Sequence, residues 1–332
     1  MQRILVIQTA FIGDVVLSTS ILETLHHQFP AAILDIAVRK GNESLFNQHP
    51  FINQVLIWDK KSNKYKHLLQ LLGAIRKNQY SLVLNLQRYA ATGFLTVFSG
   101  ASKTIGFNKN PFHLFFTESV EHSMNIDGTG GHEIERNHRL LQSICKSETA
   151  HPVLYPSEED YFVVQTYQQK KYICIAPTSV WFTKQFPKKK WIELINQIPA
   201  KFSLFLLGGS GDFSICEQIL ESTTNKNCFN LAGKLSFLQS AALMKNAVMN
   251  YVNDSAPLHF CSAMNAPVTV VYCSTIPAFG YGPLSTNKTI VETSEILTCR
   301  PCGLHGKKEC PLGHFNCAKT IQIEQLFNSI IS

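Results

Sequence analysis

Apolar residues along the chain gather in short blocks, and between the blocks runs a helical rhythm. Residues 3–9 form the first block, rich in β-branched side chains, and 33–38 and 81–86 repeat it. After the first block, Val15, Leu17, Ile21, Leu22 and Leu25 fall on one face of a helix predicted over residues 15–29 and closed by Pro30. Residues 47–56 read as a helix end, a turn and a short strand, and 66–77 as another helix. Apolar strands joined through helices by short connections predict an α/β fold with a parallel, doubly wound sheet. The rhythm breaks in the glycine-rich stretch before His132, where a helix resumes. It breaks again over 146–170, where Ser, Glu, Pro and Gln predict a linker. Then it restarts, with strands at 172–176 and 202–207, another ending at Val252, one at 268–272, and a helix from about Lys188. The chain therefore reads as two Rossmann-like α/β halves in tandem, residues 1–158 and 159–332. A final amphipathic helix, about 319–332, has the first half as a candidate surface to pack against.

Composition adds limits rather than a function. With 45% hydrophobic and 16% charged residues the chain matches ordinary soluble globular proteins. Its apolar runs are strand-sized, so no transmembrane helix is expected. The apolar run after Arg3 is short and soon meets Gly13-Asp14, so it predicts a first strand rather than a signal peptide, and hence a cytoplasmic protein. The net charge of +7, with lysines clumped at 60–61, 170–171, 188–190 and 307–308, suits an anionic partner: a nucleotide, a phosphorylated glycan or a membrane surface. No nucleic-acid-binding motif is present, which ranks that partner last.

The densest chemistry lies in 250-NYVNDSAPLHFCSAMNAPVTVVYCSTIPAFGYGP-283. A strand ends near Val252, Asp254 and Ser255 supply a helix cap, Pro257 suits the first turn, and a second strand follows. Such a helix mouth at a strand's carboxyl end favours anions through its free amides and dipole. Asp254 is awkward beside a phosphate, so it is expected to cap the helix or to hold a ribose. In the first half, Asp14 follows the first strand and either serves as a general base or caps the helix from Val15. In the second, 176-APTSVWFTKQFPKKKW-191 offers the hydroxyls of Thr178 and Ser179 and the charge of Lys184. The loop Gly208-Gly209-Ser210-Gly211-Asp212 fits neither the dinucleotide fingerprint nor the P-loop; Asp212 either accepts from ribose hydroxyls or caps the next helix. Of ten cysteines, Cys299, Cys302, Cys310 and Cys317 cluster with His305 and His314. That spacing fits either a structural zinc site or reduced thiols packing a loop.

Together these pieces resemble glycosyltransferase family 9, the lipopolysaccharide heptosyltransferases. The resemblance is carried by 4-ILVIQTAFIGDVVLSTSIL-22, Lys184-Gln185-Phe186-Pro187 with Trp191, 207-LGGSGD-212, 231-LAGKLSFLQSAALM-244, 253-NDSAPLH-259, 274-STIPAFGYGP-283 and 310-CPLGHFNC-317. It implies the GT-B architecture, two Rossmann-like domains with parallel sheets facing across a cleft, and an inverting transfer that needs no metal. By the resemblance the second half binds the nucleotide sugar, ADP-heptose, and the first half binds a lipid-linked inner-core acceptor at the inner membrane. Asp14 then matches the base and Lys184 the lysine on the diphosphate. Thr178, Ser179, Gly209, Asp212, Asp254, Ser255, Ala256 and His259 fall on the donor side, and Leu235 where adenine packs. Thr9, Gly13, Gln87 and Arg88 fall on the acceptor side. Three departures bear on substrate identity: Ala256 in place of Gly, Tyr272-Cys273 in place of Phe-Gly, and Asn85 in place of a frequent Asp. Two alternatives stay open, a transferase of the same fold using another nucleotide sugar and a non-catalytic sugar-nucleotide-binding protein.

Overall fold

A computed structural model of the protein describes residues 2–124 and 127–331. The chain forms two compact units, Met1–Tyr155 and Pro156–Ser332. In the first unit β1 (Arg3–Ile7), α1 (Ile12–Gln28), β2 (Ile33–Arg39), β3 (Ile52–Trp58), α2 (Lys64–Lys77), β4 (Leu82–Asn85), α3 (Ala90–Val97), β5 (Lys103–Phe107), β6 (Glu118–Val120) and α4 (Glu133–His138) follow in order. The second begins with α5 (Glu158–Gln165), β7 (Tyr172–Ala176), α6 (Lys188–Gln197), β8 (Ser203–Leu206), α7 (Phe213–Ser222) and β9 (Cys228–Asn230). It continues through α8 (Phe237–Lys245), β10 (Met249–Asn253), α9 (Ala256–Met264), β11 (Val268–Tyr272), β12 (Lys288–Glu292), α10 (Asn316–Lys319) and α11 (Ile323–Ile331).

Both sheets are parallel throughout, with orders β3-β2-β1-β4-β5-β6 and β12-β11-β10-β7-β8-β9. Each unit's opening strand lies in the middle, and the chain winds outward first to one side and then to the other. The order reverses between β1 and β4 in one sheet and between β7 and β10 in the other. Parallel strands covered on both faces need apolar side chains all along, and β1 (Ile4, Leu5, Val6, Ile7) and β7 are buried almost end to end. The doubly wound α/β fold expected from the sequence is thus present twice.

Several local expectations need correction. α1 begins at Ile12, ahead of the predicted Val15, and Phe11 occupies its cap position without a side-chain bond. Asp14 therefore sits inside the first turn and is not the cap. The expected linker over 146–170 contains α5, started by a capping box in which Ser157 accepts from the amide of Asp160 and Asp160 accepts from that of Ser157. The closing helix α11 packs into its own unit. Its Ile323 and Leu326 complete the second unit's core beside α6, and the Tyr251 hydroxyl donates to the Leu326 carbonyl at 3.0 Å. Thr269 of β11 donates to the Ser329 hydroxyl at 2.8 Å. The short strands β6, β9 and β12, unpredicted, carry too few apolar residues for periodicity to mark them.

A half-buried histidine gives the first unit a pH dependence. His49 lies edge-on to Phe51 (ring centroids 4.5 Å apart) and Tyr155 (4.8 Å), while His26 of α1 stacks on Phe51 at 4.1 Å. Burial, and secondarily the nearby His26, pushes His49 down to about 4. An unfolded chain takes up that proton near the ordinary value of about 6.5, so the folded state gives up stability as pH falls across that window and none further below it. Melting temperatures measured from roughly pH 7 to pH 4 should fall, and His49→Phe should flatten the fall. A remainder persists, because burial drives His122 to about 4 as well.

Candidate active site

In the first unit, expected site residues gather at the carboxyl ends of β1 and β4, where the order of strands reverses. Open α/β sheets bind ligands at such a point. Thr9, fully buried, donates its hydroxyl to the Gln87 side-chain oxygen at 2.6 Å, and the Thr9 amide donates to the same oxygen at 3.2 Å. Two residues that sequence reasoning passed over fix the rest of this loop. The Lys60 ammonium donates to the Thr9 carbonyl at 2.6 Å from above the Trp58 ring, and the Asn42 amide donates to the Ala10 carbonyl at 3.1 Å. Burial, then the charges of Arg39 and Lys64, lowers Lys60 to about 8. The loop thus held delivers Gly13 and Asp14 into the first turn of α1, both half-buried. A carboxylate there is favoured by the helix's positive end. Arg88, half-buried, lies close enough to His122 to help lower it. Asn85 accepts from the Gln87 amide at 3.0 Å through its side-chain oxygen, a bond an aspartate makes equally well.

The second unit assembles its residues at the corresponding reversal between β7 and β10. Asn253, the last residue of β10, ties the two strands: its amide donates to the carbonyls of Ala176 (3.4 Å) and Thr178 (3.3 Å), and its oxygen accepts from the Phe186 amide at 2.8 Å. Thr178 and Ser179 are half-buried and engaged through their carbonyl oxygens, Ser179 accepting from Gln185 at 2.6 Å. The turn Phe182–Lys184 carries Lys184 to Asp254, with ammonium and carboxylate 2.7 Å apart. Thr275, after β11, donates its hydroxyl to the same carboxylate oxygen at 2.6 Å.

Asp254 therefore does not cap α9. Ser255 stands at the cap position, but its hydroxyl turns back to the Asn253 carbonyl at 3.4 Å, and no side chain caps the helix. The amino end of α9, begun by Ala256, thus carries no side-chain cap on its positive dipole end, and the Lys184–Asp254 pair lies just before it. His259, one turn on, is buried with its ring 6.3 Å from that of Tyr281. In the neighbouring loop Asp212 accepts from the Gly209 amide at 2.8 Å and closes the turn Ser210–Asp212. Its carboxylate faces back toward the strand end rather than capping α7, which has no side-chain cap. Gly233 (φ +75°) donates to the Gly208 carbonyl at 2.9 Å, so the segment bearing half-buried Leu235 abuts this loop; a Cβ at Gly233 would come within 2.8 Å of Ser210 Cα. A hollow of about 500 Å³ between β3 and α2, lined by Lys40, Asp59 and His67, holds none of the expected residues.

The model of glycosyltransferase family 9 (heptosyltransferase) matches residues 68–314, well over half of the chain. The chain belongs to glycosyltransferase family 9. It is a glycosyltransferase, and its two parallel six-stranded sheets are the α/β halves of the GT-B architecture. Lipopolysaccharide heptosyltransferase 3 of Escherichia coli K12 is 25% identical over 281 residues, covering 80% of this chain and 81% of that protein. A family 9 glycosyltransferase from Veillonella parvula has a similar crystal structure (TM-score 0.86, 20% identity, 99% of this chain and 96% of that one). So does the ADP-heptose lipopolysaccharide heptosyltransferase II of E. coli (TM-score 0.80, 19% identity, 100% and 98%).

The clustered cysteines form no disulfide with one another. Cys299, Cys302, Cys310 and Cys317 are free thiols. Cys299 Sγ lies 3.8 Å from His314 Nε2, Cys302 Sγ donates to the Cys299 carbonyl at 3.3 Å, and Cys317 is buried in the second unit's core. Tetrahedral zinc needs four donors about 2.0–2.3 Å from one point. Among the described residues no three His, Cys, Asp or Glu side chains are gathered to hold a metal ion. Nor, among them, is any helix long and apolar enough to cross a membrane.

Proposed function

We propose that this glycosyltransferase moves a heptose from ADP-heptose to a hydroxyl of a lipopolysaccharide inner-core acceptor, with inversion at the anomeric carbon. The acceptor oxygen forms its bond to that carbon as Asp14 takes the hydroxyl proton. The bond from the carbon to the diphosphate oxygen breaks, and Lys184 with the amino end of α9 takes up the charge on departing ADP. The observation that carries this reading is Lys184 at 2.7 Å from Asp254, at an uncapped helix mouth on the carboxyl side of β10. A diphosphate finds there both a point charge and oriented amides. Because those groups meet the leaving charge, the route takes no metal ion.

In favour of this nucleotide and sugar is the name of one similar structure, an ADP-heptose enzyme, beside a heptosyltransferase relative. On this reading Leu235 packs against adenine, His259 and Asp212 lie on the donor side, and Thr9, Gly13, Gln87 and Arg88 lie on the acceptor side. The net charge of +7 suits a phosphorylated, lipid-linked acceptor at the cytoplasmic face of the inner membrane. Ala256 and Tyr272-Cys273 favour a second reading, another nucleotide sugar in the same fold: Ala256 adds a Cβ in the first turn of α9, and Tyr272 and Cys273, both fully buried, lie just before the loop that carries Thr275. Product analysis separates the two. Purified protein given ADP-heptose and core acceptors truncated at successive positions should add one heptose, with inverted configuration by NMR. Turnover confined to UDP- or GDP-sugars would select the second reading.

A further inference from the structure

The segment from Cys299 to Cys317 is almost without regular structure, yet its bonds converge on the two chain stretches that hold the Lys184–Asp254 pair. Arg300 donates from its guanidinium to the carbonyls of Cys273 (2.7 Å), Tyr272 (3.3 Å) and Thr275 (2.8 Å), and pairs with Glu292. It thereby fixes the stretch whose Thr275 hydroxyl binds Asp254. The Cys302 amide donates to the Ser274 carbonyl at 2.8 Å. On the lysine side, Thr183 and Lys307 exchange bonds: the Thr183 amide donates to the Lys307 carbonyl at 3.1 Å, and the Lys307 amide donates to Thr183 Oγ1 at 2.7 Å. Ser274 joins them, donating its hydroxyl to Thr183 Oγ1 at 2.9 Å. Phe315 packs its ring 5.2 Å from that of Phe182.

Gly306 completes the arrangement. Its φ of +74° is a conformation that side-chain-bearing residues seldom adopt, and a Cβ there would lie 2.9 Å from Lys184 Cγ and 3.4 Å from Cδ. The lysine's aliphatic stem thus rests against bare backbone. A free lysine spreads its ammonium over many rotamers; one pressed against this backbone presents it in a single direction.

We propose that the cysteine-rich segment is a positioning brace for Lys184, in which Gly306, Lys307 and Arg300 seat the ammonium where the donor's diphosphate binds. This rests on the diphosphate role of Lys184 given above. None of the three touches substrate; they are positioning residues that act through Lys184.

The test compares ADP and adenosine binding by calorimetry in the full-length protein, in Gly306→Ala, in Lys184→Met and in the double variant. Gly306→Ala should weaken ADP about tenfold and leave adenosine unchanged, because only the diphosphate meets Lys184. In the Lys184→Met background the same change should cost nothing further, since the group it misplaces is gone. Thr183→Val, which removes the shared oxygen without altering shape, should repeat the loss, and Thr183→Ser should restore ADP binding. The brace is overturned if Gly306→Ala and Thr183→Val leave ADP affinity intact, or if their losses persist undiminished without Lys184. Lys184→Met binding ADP as the parent does would instead overturn the diphosphate role, and the brace with it.

Discussion

Replacing Asp14 with asparagine should lower turnover about a thousandfold while ADP affinity stays within about twofold. Asparagine matches aspartate in size, so the first turn of α1 and the loop before it keep their bonds: Gln87 to Thr9, Lys60 to the Thr9 carbonyl, and Asn42 to the Ala10 carbonyl. What disappears is the capacity to accept a proton. The loss should therefore fall on kcat, with KM for the donor nearly unchanged; circular dichroism should match the parent, and the melting temperature should drop by no more than a few degrees as the helix end loses its carboxylate. Steady-state kinetics with calorimetric ADP titration reads both quantities. A variant turning over within a factor of about two of the parent would remove Asp14 from the mechanism.

Lys184→Met should weaken ADP binding about a hundredfold, more than the loss of one surface charge explains. Without ligand, Lys184 neutralises a carboxylate that is only 7% exposed. Removing the lysine leaves that carboxylate buried with its charge balanced only by the Thr275 hydroxyl; on the proposed reading the diphosphate arrives beside it, so attraction is replaced by repulsion. Neutralising it as well should therefore help: the double variant Lys184→Met, Asp254→Asn should bind ADP about tenfold better than Lys184→Met alone. Calorimetry on the three proteins decides it. If adding Asp254→Asn weakens binding further, Asp254 contacts the nucleotide directly, as a ribose partner would.

The strands that position the site were legible from residues alone, because β1, β7, β10 and β11 are buried almost throughout and read as largely apolar blocks, interrupted by Asn250 in β10 and Thr269 in β11. The alternation of strand and helix likewise gave the doubly wound order. Less legible was anything decided by a few polar contacts. Ser157 and Asp160 carry the capping-box pattern, yet the surrounding Ser, Glu and Pro composition read as a linker, and so α5 was missed. Phe11 occupies the α1 cap position without a capping bond, so no polar signal marked that start and a cap's role stayed open for Asp14 beside that of a base. Asp254 was assigned to helix capping or ribose by its place in the chain. Its pairing with Lys184 joins residues 70 apart in number (254 − 184), which no local rule reports. Thr183, Ser274, Thr275 and Gly306 lay within motifs already noted, but nothing in one sequence says that such a hydroxyl or glycine faces a lysine from another loop.

The anchoring of α11 bears on how the chain comes off the ribosome. Tyr251 and Thr269, from the strands that lead to Asp254 and Thr275, find their hydroxyl partners at Leu326 and Ser329. Until residues 323–331 emerge from the exit tunnel, those strands lack their cover, whereas Met1–Tyr155 can reach its own native packing while translation continues. The half holding Asp14 would thus be finished early, and the half holding Lys184 would mature only as synthesis passes α11.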